Sequence, residues 1–245
     1  LHGRYERDAA FDETDRQRRL AARATARGFA VVALRGELGA CTGPGLSTWF
    51  CWPSTRSNDA IAAFLRSWNQ ALDAAQARAR SPARYVLGFS NGGYFVGLVA
   101  TRGLFDASAF VIAHGGPVEP VQAVGNKRPM LLLSADDDVA QDDMIRFDEE
   151  LAREGWARES YARPGGHALT DGDIDSAIAF FADAGDKRPF SPHSSLHRPV
   201  RHARDAGVCP APSPQDDAST TNDADLGISA SPTGYETDPD EGSDR

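Results

Sequence analysis

Residues 88–92 read Gly-Phe-Ser-Asn-Gly, a G-x-S-x-G pattern with Ser90 at its centre. Tyr85-Val86-Leu87 leads in as an apolar, strand-like run, and Tyr94–Ala100 leads out with helix-compatible residues. A strand that turns this sharply into a helix strains the apex residue and pushes its side chain out of the sheet. Gly88 and Gly92 fall where a Cβ would collide with a neighbouring strand or helix. Ser90 then stands at a helix N-terminus, where free amides and the helix dipole favour developing negative charge. A Gly-Ser turn after a strand is also common where no chemistry occurs, so a nucleophile reading needs partners elsewhere in the chain.

Such partners follow in order. A serine nucleophile needs a base, and the base needs an orienting carboxylate. Met130–Ser134 reads as a strand, and Asp136-Asp137-Asp138-Val139 follows it at once. One carboxylate of this turn can accept an imidazole N–H. Asp-x-Val before a new helix favours Asp137, counting from the strand end favours Asp138, and Asp136 comes third. Pro164-Gly165-Gly166-His167 lies between the last strand and the last helix, and the two glycines let the backbone bring His167 over the serine. An oxyanion site needs two backbone N–H donors. Asn91, the residue after the serine, offers one, and the loop His2-Gly3-Arg4 offers the second on Gly3 or Arg4. Trp49, Trp52 and Phe89 are candidates for a substrate pocket, with Phe50, Tyr94 and His114 beside them. Core packing is the commoner role for such rings.

The remaining pattern sets the scaffold. Asp15–Arg27 reads as a helix ended by Gly28, and Phe29–Leu34 as a short buried strand. Gly36–Ser54 is a long Gly-rich loop around Trp49-Phe50-Cys51-Trp52. From Asp59 to about Ala79, Ile61, Phe64, Leu65, Trp68 and Leu72 recur at helical spacing. Strands at Ala109–Ala113 and Glu159–Ala162 and helices at Asp142–Gly155 and Ile174–Ala184 complete an alternating, apolar-stranded series. The fold class expected is α/β: a mostly parallel sheet covered by helices on both faces.

Composition divides the chain at about residue 185. Residues 1–184 can form one α/β domain. In 185–245 Pro, Ser, Asp, Thr and Asn dominate, and such a tail cannot bury enough surface to offset its ordering entropy. The net charge of −9 comes from that tail: ten acidic residues and one basic residue lie in 205–245, leaving 25 of each sign in the first 204. A neutral folded part argues against a nucleic-acid partner. No run of about 18 apolar residues occurs, so no membrane-spanning helix is expected. The three cysteines, Cys41, Cys51 and Cys209, form no C-x-x-C, which leaves metal and cofactor readings without support. Cys41 and Cys51 are close enough in one loop to be bridged, or they are two free thiols. A bridge would imply an oxidising compartment.

Leu1-His2-Gly3, Gly88–Gly93, Leu131–Val139 and Gly165–Asp171 together resemble the α/β-hydrolase superfamily, over about residues 1–184. Within it the chain is similar to the serine-esterase branch of polyhydroxybutyrate depolymerase-like and feruloyl-esterase-like enzymes. The resemblance implies hydrolysis of carboxylic esters of small molecules by Ser90, His167 and Asp137 through an acyl-enzyme, without cofactor. Members of this branch are often exported. A serine peptidase of the same fold and a non-catalytic, hydrolase-like binding protein are the alternatives. In that family the His-Gly loop follows an interior strand, which here is reduced to Leu1. An N-terminally incomplete sheet is therefore expected.

Overall fold

In a computed structural model, the described residues are 1–41, 43–53, 57–76, 83–117, 119–122 and 124–185. Most of the expected tail, and Cys209 with it, lies outside them. In chain order the elements are β1 (Tyr5–Glu6), α1 (Ala10–Thr25), β2 (Glu37–Leu38), β3 (Trp49–Cys51), α2 (Asn58–Gln76) and β4 (Tyr85–Phe89). They continue with α3 (Asn91–Thr101), β5 (Ala109–Ala113), β6 (Met130–Ala135), α4 (Gln141–Arg153), β7 (Arg158–Arg163) and α5 (Asp171–Gly185).

The apolar runs of β4, β5 and β6, followed by β7, pair in that order as one parallel four-stranded sheet. Their side chains alternate between two cores, as the two-residue period of a strand requires. Phe110, Ile112, Met130 and Leu132 face Ile61, Leu65 and Trp68 of α2, Phe95 and Leu98 of α3, and Met144, Phe147 and Leu151 of α4. Ala109, Val111, Ala113, Leu131 and Leu133 face Ala177, Phe180 and Phe181 of α5. Both faces are therefore covered, as the α/β reading expects. Because the strands are parallel, all four carboxyl ends open on one edge of the sheet, where ligand sites of such folds form.

Two readings are corrected. Phe29–Leu34 makes no strand, and Val31 is 42% exposed. This segment faces β4 across a cavity of about 870 Å³ lined by Leu34, Leu72, Tyr85, Leu87 and Phe181. Strand pairing requires neighbours about 4.8 Å apart, and among the described residues no backbone hydrogen bond joins Ala30–Leu34 to β4. Against β4 itself lies Leu1, whose N donates to Leu87 O at 2.5 Å and whose O accepts from Phe89 N at 3.0 Å, a parallel register. The stretch read as one loop, Gly36–Ser54, carries short strands in its described part. Within it β3 pairs antiparallel with both β1 and β2, and Cys41 is disulfide-bonded to Cys51.

Candidate active site

Ser90 sits at the β4–α3 turn with φ +54°, ψ −122°. The turn closes because residues 88 and 92 lack side chains. A Cβ on Gly88 would lie 2.2 Å from Gly92 O, and one on Gly92 would lie 2.5 Å from His2 O. His167 Nε2 lies 2.8 Å from Ser90 Oγ, and His167 Nδ1 lies 2.7 Å from Asp138 Oδ1. An ionised carboxylate only accepts, so Nδ1 carries the proton and Nε2 offers its lone pair to the serine hydroxyl.

The carboxylate that meets His167 is that of Asp138, and Asp137, favoured from the sequence, does not reach the ring. The turn after β6 is fixed by backbone bonds from Asp136 N to Arg163 O (2.9 Å) and Asp137 N to Gly165 O (3.0 Å), which leave both those side chains exposed. Asp138, 7% exposed, points inward. Its Oδ1 accepts from Ala140 N at 2.8 Å as well as from His167, and its Oδ2 accepts from His114 Nδ1. Burial raises its pKa, but the Ala140 amide, His167 and His114 outweigh it and hold the carboxyl below its ordinary value.

The loop carrying His167 is braced from beneath. Arg163 donates to Pro164 O at 3.1 Å and to Ala168 O, and its Nε reaches Asp173 at 3.2 Å. Thr170 and Asp173 cap α5 reciprocally: Thr170 N donates to Asp173 Oδ2 at 2.8 Å and Asp173 N to Thr170 Oγ1 at 3.2 Å. Burial opposes ionisation of Asp173, but the nearby His114 ring, the hydrogen bonds from Thr170 and the charge of Arg163 outweigh it and lower the pKa to about 2.

On the other side of Ser90, the first residues of the chain form a clamped loop. Gly36 N donates to His2 Nε2 at 2.9 Å, so the ring proton is on Nδ1, which donates to Gly3 O. Burial lowers the His2 pKa to about 4 and keeps the ring neutral. Trp52 Nε1 donates to His2 O at 2.7 Å, and Trp52 N donates to Asn91 Oδ1 at 2.7 Å. Gly3 lies so close to the serine that a Cβ there would stand 3.1 Å from Ser90 Cβ. The Asn91 amide lies in the first turn of α3, where amides have no intrahelical acceptor.

Ser90, His167, Asn91 and Gly3 border a cleft of about 540 Å³ that also takes in Arg4, Cys41, Trp49, Trp52, Phe89 and Tyr94. The larger cavity beside β4 contains none of Ser90, Asp138 and His167. Two of the aromatic assignments differ from expectation. Phe50 packs on Tyr5 with Arg35 over its ring, and His114 is fully buried behind Asp138. Among the described residues, His114, Asp138 and His167 form a cluster whose ligand atoms lie within 4.8 Å of one another. Their facing atoms are hydrogen-bonded to each other, so a cation would have to displace those bonds.

Among the described residues, no helix is long and apolar enough to cross a membrane. No protein-family model matches this sequence, and no curated protein matches it. Solved structures do. A carboxylesterase from Bacillus cereus is 17% identical over 75% of this chain and 86% of that one, with a TM-score of 0.53. SOBER1 from Arabidopsis thaliana is 14% identical over 75% of this chain and 96% of that one, with a TM-score of 0.58. A protein of unknown function from Agrobacterium tumefaciens is 20% identical over 76% of this chain and 89% of that one, with a TM-score of 0.52. At these identities the likeness is one of architecture, and the architecture that this chain shares with them is the α/β-hydrolase fold.

Proposed function

We propose that the protein is a serine hydrolase that cleaves carboxylic esters of small molecules, with Ser90 as nucleophile, His167 as general base and Asp138 as the orienting acid. The observation that carries this reading is the hydrogen-bonded line from Ser90 Oγ to His167 Nε2 (2.8 Å) and from His167 Nδ1 to Asp138 Oδ1 (2.7 Å). His167 Nε2 takes the hydroxyl proton as Oγ attacks the ester carbonyl carbon. The amide of Asn91 and an amide of the Gly3–Arg4 segment receive the oxyanion. Collapse breaks the carbonyl carbon–alkoxy oxygen bond, and His167 returns the proton to the departing alcohol. Water, deprotonated by His167, attacks the acyl-enzyme, and the acid leaves as Ser90 regains its proton. Asp138 remains ionised throughout and stabilises the imidazolium.

The choice of esters is supported by the architecture shared with the Bacillus cereus carboxylesterase. A panel of short p-nitrophenyl esters and peptide anilides tests it on the full chain. Ester hydrolysis that disappears in Ser90→Ala is expected. Turnover of anilides in preference to esters would make the protein a peptidase. Ester turnover unchanged in Ser90→Ala would reject the assignment.

A further inference from the structure

His114 follows β5 directly with φ +56°, a backbone conformation that costs a residue with a Cβ and persists where the surroundings over-determine it. The ring is completely buried. Its Nδ1 lies against Asp138 Oδ2, the oxygen that His167 does not use. Its Nε2 faces the Asp173 carboxylate at 3.5 Å and Arg163 Nη2 at 3.4 Å. Phe89 packs edge-on against it from β4, and His167 stands at 5.9 Å between ring centres. The acid of the proposed reaction thus lies between two imidazoles, one facing the cleft and one sealed in the core.

We propose that His114 is a positioning residue: by donating from Nδ1 to Asp138 Oδ2 it fixes the carboxylate plane, so that Oδ1 presents to His167 Nδ1. This rests on the function proposed above. The other charged and titratable groups facing His114, Asp173 from α5 and Arg163 from the end of β7, orient the ring from its far side. A carboxylate with both oxygens engaged cannot rotate away from His167. One with Oδ2 unengaged is held through Oδ1 alone, by Ala140 N and His167, and can tilt about that oxygen or admit water at Oδ2. The sequence alone gives only an imidazole at a strand end before Gly115-Gly116. What turns it into a partner of Asp138 is the parallel β5–β6 register, which places the ends of these strands side by side.

Two variants separate positioning from packing. His114→Asn keeps an N–H donor near the Nδ1 position and suits the positive φ. His114→Ala removes the donor. Expected in Ala is a fall in kcat of about 10- to 100-fold with KM little changed, the size seen when the hydrogen-bond partners that orient metal-binding side chains are removed. Asn should restore kcat to within about threefold of wild type at a similar melting temperature. Equal kcat in all three proteins, or Asn as impaired as Ala, would overturn the proposal. A readout independent of turnover is the low-field proton spectrum of the full chain with ¹⁵N-labelled histidine. Besides the His2 Nδ1–H bonded to Gly3 O, two strongly deshielded Nδ1–H signals from carboxylate-bonded rings are expected, one lost in His114→Ala and the other in His167→Ala. A wild-type spectrum with one such signal, lost only in His167→Ala, would overturn the assignment of His114. If both signals stand but no ester is turned over, the proposed function fails and the geometry of His114 remains.

Discussion

His167 Nδ1 donates to Asp138 Oδ1 at 2.7 Å, and that aspartate is buried while its two neighbours, Asp136 and Asp137, are exposed. The difference within one turn arises from backbone pairing to the loop after β7, and it assigns different consequences to three adjacent acids.

Asp138→Asn should lower kcat for p-nitrophenyl esters by about 10⁴-fold, because an amide can donate to Nδ1 and so stabilise the wrong tautomer of His167. Asp137→Asn should leave kcat within about twofold, as an exposed substitution normally does. Steady-state kinetics on both variants checks this. Comparable losses in the two would contradict the geometry.

The pH dependence of folding should carry the signature of His2. Its folded pKa of about 4 lies below its ordinary value of 6.5, so below pH 6.5 the unfolded chain binds more protons than the folded one. Its contribution is fully present above 6.5 and is lost as pH falls toward 4. Urea midpoints measured between pH 7 and 4 should decline, and His2→Asn should decline less steeply. Parallel declines would remove His2 as the cause.

Asp173 acts at lower pH. Its folded pKa of about 2 lies below the ordinary 3.8, so its contribution is present above pH 3.8 and is lost as pH falls toward 2. The shift corresponds to about 2 kcal/mol. In Asp173→Asn, stability at pH 6 should fall by that order, and the gap to wild type should narrow by pH 2. A gap that stays constant with pH would point to packing instead.

The side chain of Asn91, rather than its amide alone, connects the serine turn to Trp52. Asn91→Ala leaves Trp52 N without its acceptor, which typically costs about 1–3 kcal/mol when the group is buried. Asn91→Asp keeps the acceptor. Aspartate loses the Nδ2 donor to Trp52 O at 3.4 Å, so thermal melts should place wild type above both variants, and an Ala variant as stable as wild type would contradict the contact.

Cys41 borders the cleft and is bonded to Cys51 across ten residues. A loop of this size contributes about 2–3 kcal/mol in the chain-entropy account. Alkylation in denaturant should modify Cys209 alone without reductant and all three cysteines after reduction. Three modified cysteines without reductant would show that the bridge is not formed.

The strands of the sheet were legible in sequence because Ala109–Ala113 and Met130–Ala135 are buried almost throughout, Tyr85–Phe89 is half-buried to buried, and all three read as apolar runs. Phe29–Leu34 has the same composition and is no strand, since composition does not say whether a partner backbone lies alongside. The strands β1 and β2 are two residues long, too short for any period to register. Ser90 and His167 were legible because glycines at fixed offsets mark where backbone must pass closely. The choice among Asp136, Asp137 and Asp138 was not, because each step along the turn rotates the side chain and only the pairing to Arg163 and Gly165 fixes the rotation. His114 was read as a cleft aromatic, and its contact with Asp138 depends on strand register, which a single segment does not encode.

A Ser90 hydroxyl activated by His167 should react covalently with an electrophilic phosphonate. The most direct measurement is labelling of the full chain by a fluorophosphonate, followed by mass mapping of the modified peptide. The expected result is one adduct on Ser90, absent in Ser90→Ala and strongly slowed in His167→Ala. A folded protein that takes no label, or one whose labelling survives Ser90→Ala, would contradict it.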